Sequence, residues 1–191
     1  MSSLKKKVGV LALQGAYALH RAHIEGSGGV YQEVVCPEHL DKCSALIIPG
    51  GESSTMVKLI DLYQMWEPLK NFVENKPTWG ICAGAILLAN RVVAAEQKSL
   101  ALIDIAIQRN AYGRQMDSFE ENIENYQVSF IRAPKILKVG KGVRIKAERN
   151  GNPVWIESKQ TMITTFHPEL NRSFPSAWHQ RLLDLSMSSS C

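Results

Sequence analysis

The chain has 191 residues, 45% hydrophobic and 21% charged, which suits one ordinary globular domain with a substantial core and requires no second one. Its formal charge of +4 owes much to Lys5-Lys6-Lys7, and the other basic residues form no aromatic-interleaved stripe, so no nucleic-acid partner is expected. No apolar run reaches bilayer-spanning length, residues 1–7 are too short and polar for a secretory signal, and cysteines 36, 43, 82 and 191 form no C-x-x-C pair. The expectation is a cytoplasmic protein with reduced thiols and no membrane association, one domain over 1–191 with flexible ends at 1–7 and 188–191.

Residues 8–13, Val-Gly-Val-Leu-Ala-Leu, form a continuous apolar run that predicts a strand buried on both faces, as inside a parallel sheet. Gln14-Gly15 ends the run, and 16–24 predicts a helix closed by the glycines at 26, 28 and 29. Residues 31–35 alternate as a second strand, 37–42 fit a short helical turn, and Ala45-Leu46-Ile47-Ile48 is a third buried strand. Strand, helix, strand, helix, strand predicts right-handed crossovers and a mostly parallel sheet flanked by helices on both faces, an α/β fold. Pro49-Gly50-Gly51-Glu52-Ser53-Ser54 then turns the chain into a helix over 56–63. That turn lies at the C-terminal edge of the sheet, where open parallel sheets bind ligands.

The next strand ends in Trp79-Gly80-Ile81-Cys82-Ala83-Gly84-Ala85, with a helix-forming run behind it at 86–89. A cysteine with glycine two before and two after is the thiol version of the G-x-S-x-G nucleophile elbow. The turn strains the nucleophile's backbone, so its flanks must lack bulk, and the helix start behind it favours a thiolate. Cys82 is therefore a candidate nucleophile, although a cysteine in an apolar run also fits plain core.

Strands follow at 102–108 and 127–132, with a polar loop at 109–118 between them and Pro134 as a stop. Short strands at 143–147, 154–158 and 162–165, the first two joined through Asn150-Gly151-Asn152, predict antiparallel additions to the sheet. A last helix covers 176–187. The final strand runs into Phe166-His167-Pro168-Glu169-Leu170, where residues i and i+2 of an extended segment share a face. A histidine beside a carboxylate is the base-and-orienter unit of a catalytic triad, so His167 and Glu169 are candidates to serve Cys82; an exposed His-x-Glu ion pair is the plain alternative. His20, His23, His39 and His179 have no such context and are expected to be surface or satisfied core residues. No cluster has metal-ligand spacing, and neither a metal nor a cofactor is expected.

Six segments, 10–15 (VLALQG), 48–53 (IPGGES), 79–84 (WGICAG), 109–115 (RNAYGRQ), 130–134 (FIRAP) and 166–170 (FHPEL), span almost the whole chain. Together they resemble the glutaminase-subunit family of pyridoxal 5′-phosphate synthases, class I, triad-type glutamine amidotransferases with a flavodoxin-like three-layer fold. The resemblance implies hydrolysis of L-glutamine through a Cys82 thioester, with ammonia handed to a synthase subunit in a hetero-oligomeric complex. It implies an oxyanion hole from the N–H groups of Gly51 and Ala83, and glutamine-binding positions at Gly51, Glu52, Ser53, Arg109, Ile131 and Arg132. It also implies a chain that is nearly inactive until its partner docks around the mouth of the site, with Glu52 and residues 16–23 as candidate contacts.

The chain departs from the family pattern at Ile81, where threonine is usual, at Ala85, where a larger apolar residue is usual, and at Ala101, where glycine is common. The segments 92–101 and 120–127 are shorter than usual. Rival readings of the residues are a stand-alone thiol hydrolase acting on γ-glutamyl substrates, and a catalytically silent binding subunit.

Overall fold

The computed structural model describes residues 5–93, 96–109 and 118–188. The central sheet is built from β1 (Lys7–Leu11), β2 (Val30–Val34), β3 (Ala45–Ile48), β4 (Thr78–Ile81), β10 (Arg144–Arg149), β11 (Asn152–Ser158) and β12 (Thr161–Thr164), in the order β10-β11-β12-β4-β3-β1-β2. The run from β12 through β2 is parallel, and β11 and β10 extend it antiparallel. Alternate residues of the buried strands serve two separate cores. Val8, Val10, Ala45, Ile47, Trp79, Ile81 and Met162 face one side, and Leu11, Leu46, Ile48 and Ile163 face the other.

Helices α1 (His20–Gly26) and α6 (Ala177–Ser188) cover the first face through Ile24, Trp178, Leu182 and Leu183. The second face is covered by α2 (Pro37–Asp41), α3 (Ser53–Leu62), α4 (Trp66–Asn75) and α5 (Ala83–Leu88). The three-layer arrangement expected from the alternating elements is present. Each fully buried Leu or Ile in these layers contributes roughly 1.5–3 kcal/mol over its exposed state.

Several details differ from expectation. The segment after Gly15 starts as a 3-10 turn, Tyr17–Leu19, before α1 begins at His20. Helix α4 was not anticipated: Pro68 reads as a breaker, yet in a first helical turn its missing N–H costs nothing, and Leu69, Phe72 and Val73 turn inward with helical spacing. The strand at 102–108 does not join the central sheet. As β6 (Ile103–Gln108) it pairs with β5 (Ala89–Val93) and β9 (Lys135–Val139), while β7 (Phe119–Ile123) and β8 (Tyr126–Phe130) form a separate hairpin. Nor is β12 an antiparallel addition; it is antiparallel to β11 but parallel to β4, at the heart of the sheet. The Asn150-Gly151 turn is as expected, with φ of 47° and 72° between paired Arg149 and Asn152. Of the polar loop at 109–118, residues 110–117 lie outside the described residues.

Candidate active site

The ends of three neighbouring parallel strands, β3, β4 and β12, supply the site. Cys82 follows β4 directly and caps α5, with φ 50° and ψ −100°, a conformation an L residue holds only when its surroundings impose it. The surroundings do so. A Cβ on Gly80 would lie 2.6 Å from Leu88 Cδ1 and 2.8 Å from the Gly84 carbonyl oxygen, and one on Gly84 would run into the Ile48 carbonyl oxygen. The Cys82 N–H donates to the Thr164 carbonyl at 2.9 Å, tying the elbow to β12. The side chain is buried, only 7% exposed, at the wall of a cavity.

His167 comes two residues beyond Thr165 on the same edge, and its N–H donates to the Ser129 carbonyl of β8 at 2.8 Å. Its ring lies against Gly50, where any side chain would collide with it. His167 Nδ1 is 2.7 Å from Glu169 Oε1, and both residues are buried. The pairing does not arise in an extended segment as expected: Pro168–Leu170 is a 3-10 turn, and Glu169 curls back to the imidazole. Burial alone would lower the His167 pKa, but the charge of Glu169 and the Cys82 thiol within hydrogen-bonding reach hold it well above its ordinary value. Burial works against the Glu169 charge as well, and the imidazolium overrides it, keeping the carboxyl below its usual range. Nδ1 is committed to Glu169, which leaves Nε2 for the thiol.

A cavity of about 230 Å³ opens over the thiol, lined by Gly51, Glu52, Ser53, Cys82, Ala83, Arg109, Ile131, Arg132 and His167. Every candidate from the sequence thus meets at this wall except Glu169, which stands behind His167. Ala16, Gly50, Ile86 and Leu170 complete the lining. Its size suits a free amino acid rather than a drug-sized ligand, for which roughly 300–1,000 Å³ is typical.

The polar residues of the wall are partly engaged with one another. Glu52 caps α3 by accepting from Ser54 N–H and Thr55 N–H, and Arg109 Nη2 is 3.1 Å from its Oε1. Desolvation pushes the Glu52 pKa up, but those donors prevail and bring it down to about 2. Ser53 Oγ donates to Gln97 Oε1 at 2.9 Å. Arg132 stands exposed at the mouth with φ 42°.

Two features were not read from the sequence. Gln14 Oε1 accepts from the Glu52 N–H at 3.0 Å, and a Cβ on Gly51, whose φ is 149°, would strike the same side chain. Gln14 thus clamps the glycine turn after β3 from the end of β1, a contact across 38 residues that no local pattern reveals. Of the histidines at 20, 23 and 179, only His179 is the satisfied core residue expected, with both ring nitrogens partnered. All three are buried in one cluster, with Nε2 of both His20 and His23 unpartnered. The i, i+3 spacing of His20 and His23 on one helix face was the available signal.

Among the described residues, no group of three or more His, Cys, Asp or Glu is placed to hold a metal ion, and no helix is long and apolar enough to cross a membrane. A parallel sheet ending in a cysteine elbow, with a buried His–Glu pair just beyond the end of the adjoining strand, defines the class of triad-type glutamine amidotransferases. The model of the SNO glutamine amidotransferase family matches residues 10–180, and the chain belongs to that family.

Among its relatives, the pyridoxal 5′-phosphate synthase subunit PdxT of Thermosipho africanus is 42% identical over 171 residues, covering 86% of this chain and 91% of that protein. PdxT of Bacillus cytotoxicus is 41% identical over 175 residues, covering 88% and 89%. A solved glutamine amidotransferase superposes with a TM-score of 0.86 at 38% identity, over 94% of this chain and 98% of that one. PurLQS from Thermotoga maritima shares the fold, with a TM-score of 0.65 at 15% identity over 97% and 99% of the two chains.

Proposed function

We propose that the chain hydrolyses L-glutamine to L-glutamate and ammonia at Cys82 and supplies that ammonia for pyridoxal 5′-phosphate, vitamin B6, synthesis. The observation that carries the reading is the juxtaposition of the strained Cys82 elbow with the buried His167–Glu169 pair at one amino-acid-sized cavity. The Cys82 thiol gives its proton to His167 Nε2 and attacks the carbon of the side-chain amide. The tetrahedral oxyanion accepts from the N–H groups of Gly51 and Ala83, each donor worth on the order of 3 kcal/mol of barrier. The imidazolium, held by Glu169, protonates the departing ammonia, leaving a γ-glutamyl thioester. Water, activated by His167, then cleaves it to glutamate and the free thiol. Arg132 and the Arg109–Glu52 pair at the cavity wall are placed to receive the α-carboxylate and α-ammonium of the substrate. Ser53 and Ile131 complete the substrate wall.

Ammonia released into solvent is protonated to non-nucleophilic ammonium and diffuses away, so a synthase subunit receives it in a hetero-oligomeric complex. The docking face is the rim of the cavity, where the lining residues Ile131 and Leu170 are exposed apolar side chains. Docking orders the Gly50-Gly51 turn, whose peptide can reorient at small steric cost, and isolated chain is nearly inactive. A reducing, cytoplasmic setting suits an enzyme that depends on a free thiol. A glutamine-analogue electrophile, such as a γ-diazoketone amino acid, tests the site: peptide mapping is expected to find the adduct on Cys82, with L-glutamine protecting. Labelling at Cys36 or Cys43 instead would overturn the assignment.

A further inference from the structure

Glu169 uses one carboxylate oxygen on His167; the other, Oε2, is buried without a hydrogen-bond partner. Near enough to Glu169 to act on it electrostatically, and outside the lining of the cavity, lies the histidine cluster. Ser176 N–H donates to His23 Nδ1 at 3.1 Å, so neutral His23 carries its proton on Nε2, near the main-chain carbonyls of Glu169 and Asn171. Ser176 Oγ is 2.6 Å from His179 Nδ1, and His179 Nε2 is 2.8 Å from His20 Nδ1. His23 and His179 stack at 4.4 Å, and His20 packs edge-on against Trp79 of β4. Burial drives all three histidines below their ordinary pKa, His20 to about 4, so each is neutral near pH 7.

A chain of neutral imidazoles has only two hydrogen-bonding senses. If His179 Nδ1 donates to Ser176, His20 must donate to His179, and its Nε2 ends the chain as a bare lone pair near a carboxylate. In the other sense Ser176 O–H donates to His179 Nδ1, His179 Nε2–H donates to His20 Nδ1, and His20 Nε2–H is left as a donor. That atom is buried and unpartnered, as is Glu169 Oε2. His20 and Glu169 also act on each other electrostatically: the carboxylate counters burial to raise the His20 pKa, and His20 helps hold Glu169 down. An orphan donor and an orphan acceptor thus share one dry region, each expensive to leave unmet.

We propose that His20 is a positioning residue for Glu169: a Ser176–His179–His20 chain, polarised toward the active site, presents His20 Nε2–H to Glu169 Oε2. One bridging water, or a small rotation of the carboxylate, closes the link. The chain fixes the carboxylate that fixes His167, and it stabilises Glu169 as an anion. His20 sits at the start of α1 and His179 on α6, so the helices of one face brace the triad from behind. The inference rests on the triad reading above.

The test is the pH dependence of Cys82 alkylation by iodoacetamide in the full chain, which needs no partner subunit, with thermal melting as a fold check. His20→Phe keeps the volume and removes the donor; reactivity at neutral pH is expected to fall about tenfold and the acidic limb to move up by about one pH unit, because a carboxylate that loses a donor gains a proton more readily. His20→Gln, which restores an N–H near the Nε2 position, is expected to recover most of both. In a Glu169→Ala background His20→Phe should change nothing further, since His20 acts only through that carboxylate. Ser176→Ala, a small change at the far end, should shift the profile in the same direction and decides the matter if His20→Phe fails to fold. Wild-type Cys82 no more reactive than an ordinary cysteine would sink the triad reading itself. A reactive wild type whose profile neither His20→Phe nor Ser176→Ala alters, or effects that persist without Glu169, would overturn the role of His20 alone.

Discussion

At Cys82 a backbone conformation costing of order 1–3 kcal/mol is kept by its neighbours, because Gly80 and Gly84 let Leu88 and Ile48 close in on the elbow. The same reasoning applies where strain has no such use. Ala101 has φ 54° in an exposed stretch before β6, a region where an L side chain costs about 1–2 kcal/mol and glycine almost nothing. Ala101→Gly is therefore expected to stabilise the chain by about 1 kcal/mol, read from the midpoint of urea unfolding; no gain would mean that φ at 101 is paid for elsewhere. Cys82, Gly80 and Gly84 were legible in the sequence because the elbow encodes its own backbone geometry; His167 and Glu169 were legible from their residue types, but not the 3-10 turn that pairs them. Gln14 and the buried histidines were not, because what they touch is brought to them by other strands and helices.

Among the elements, α6 shows how one contact can secure a layer. Arg181 grips Glu157 of β11 with two bonds of 3.0 Å, and Arg144 stands 3.7 Å away as a weaker second partner. Glu157 is buried, so Arg181→Ala leaves a desolvated carboxylate with one distant cation and should cost about 2–3 kcal/mol in denaturant unfolding. Arg181→Lys should recover only part, lacking the bidentate fork; equal stability of wild type and Arg181→Ala would show the pair to be ornamental. Elements with strong apolar runs, such as β1, β3 and β4, were readable from sequence. Helix α4 was hidden by Pro68, and β5 and β9 by patterns of mostly half-buried or exposed residues that carry little alternation. The antiparallel partner of β11 was legible from Asn150-Gly151, whereas the parallel seat of β12 beside β4 depends on pairing across some 80 residues.

Over the whole molecule, burial of neutral histidines makes stability fall in mild acid. Below pH 6.5 the unfolded chain binds protons on His20, His23 and His179 that the folded chain refuses, down to about pH 4 for His20, so unfolding becomes easier as pH falls. His20 alone, with its pKa pushed down to about 4, accounts for roughly 3 kcal/mol across that window. His167 acts in the opposite sense: its pKa is raised, so its stabilisation is complete below 6.5 and fades as the pH climbs through the folded value. The melting temperature should therefore drop between pH 7 and 5, and drop less in His20→Gln; a flat profile would contradict the buried neutral cluster.

Partner-gated glutaminase activity through Cys82 is read from glutamate release from L-glutamine, with and without the synthase subunit, for wild type and Cys82→Ala. Little release is expected from the isolated chain, strong release once the synthase subunit is added, and none from Cys82→Ala in either case. Silence of the wild type beside a competent synthase, or release that survives Cys82→Ala, would contradict it.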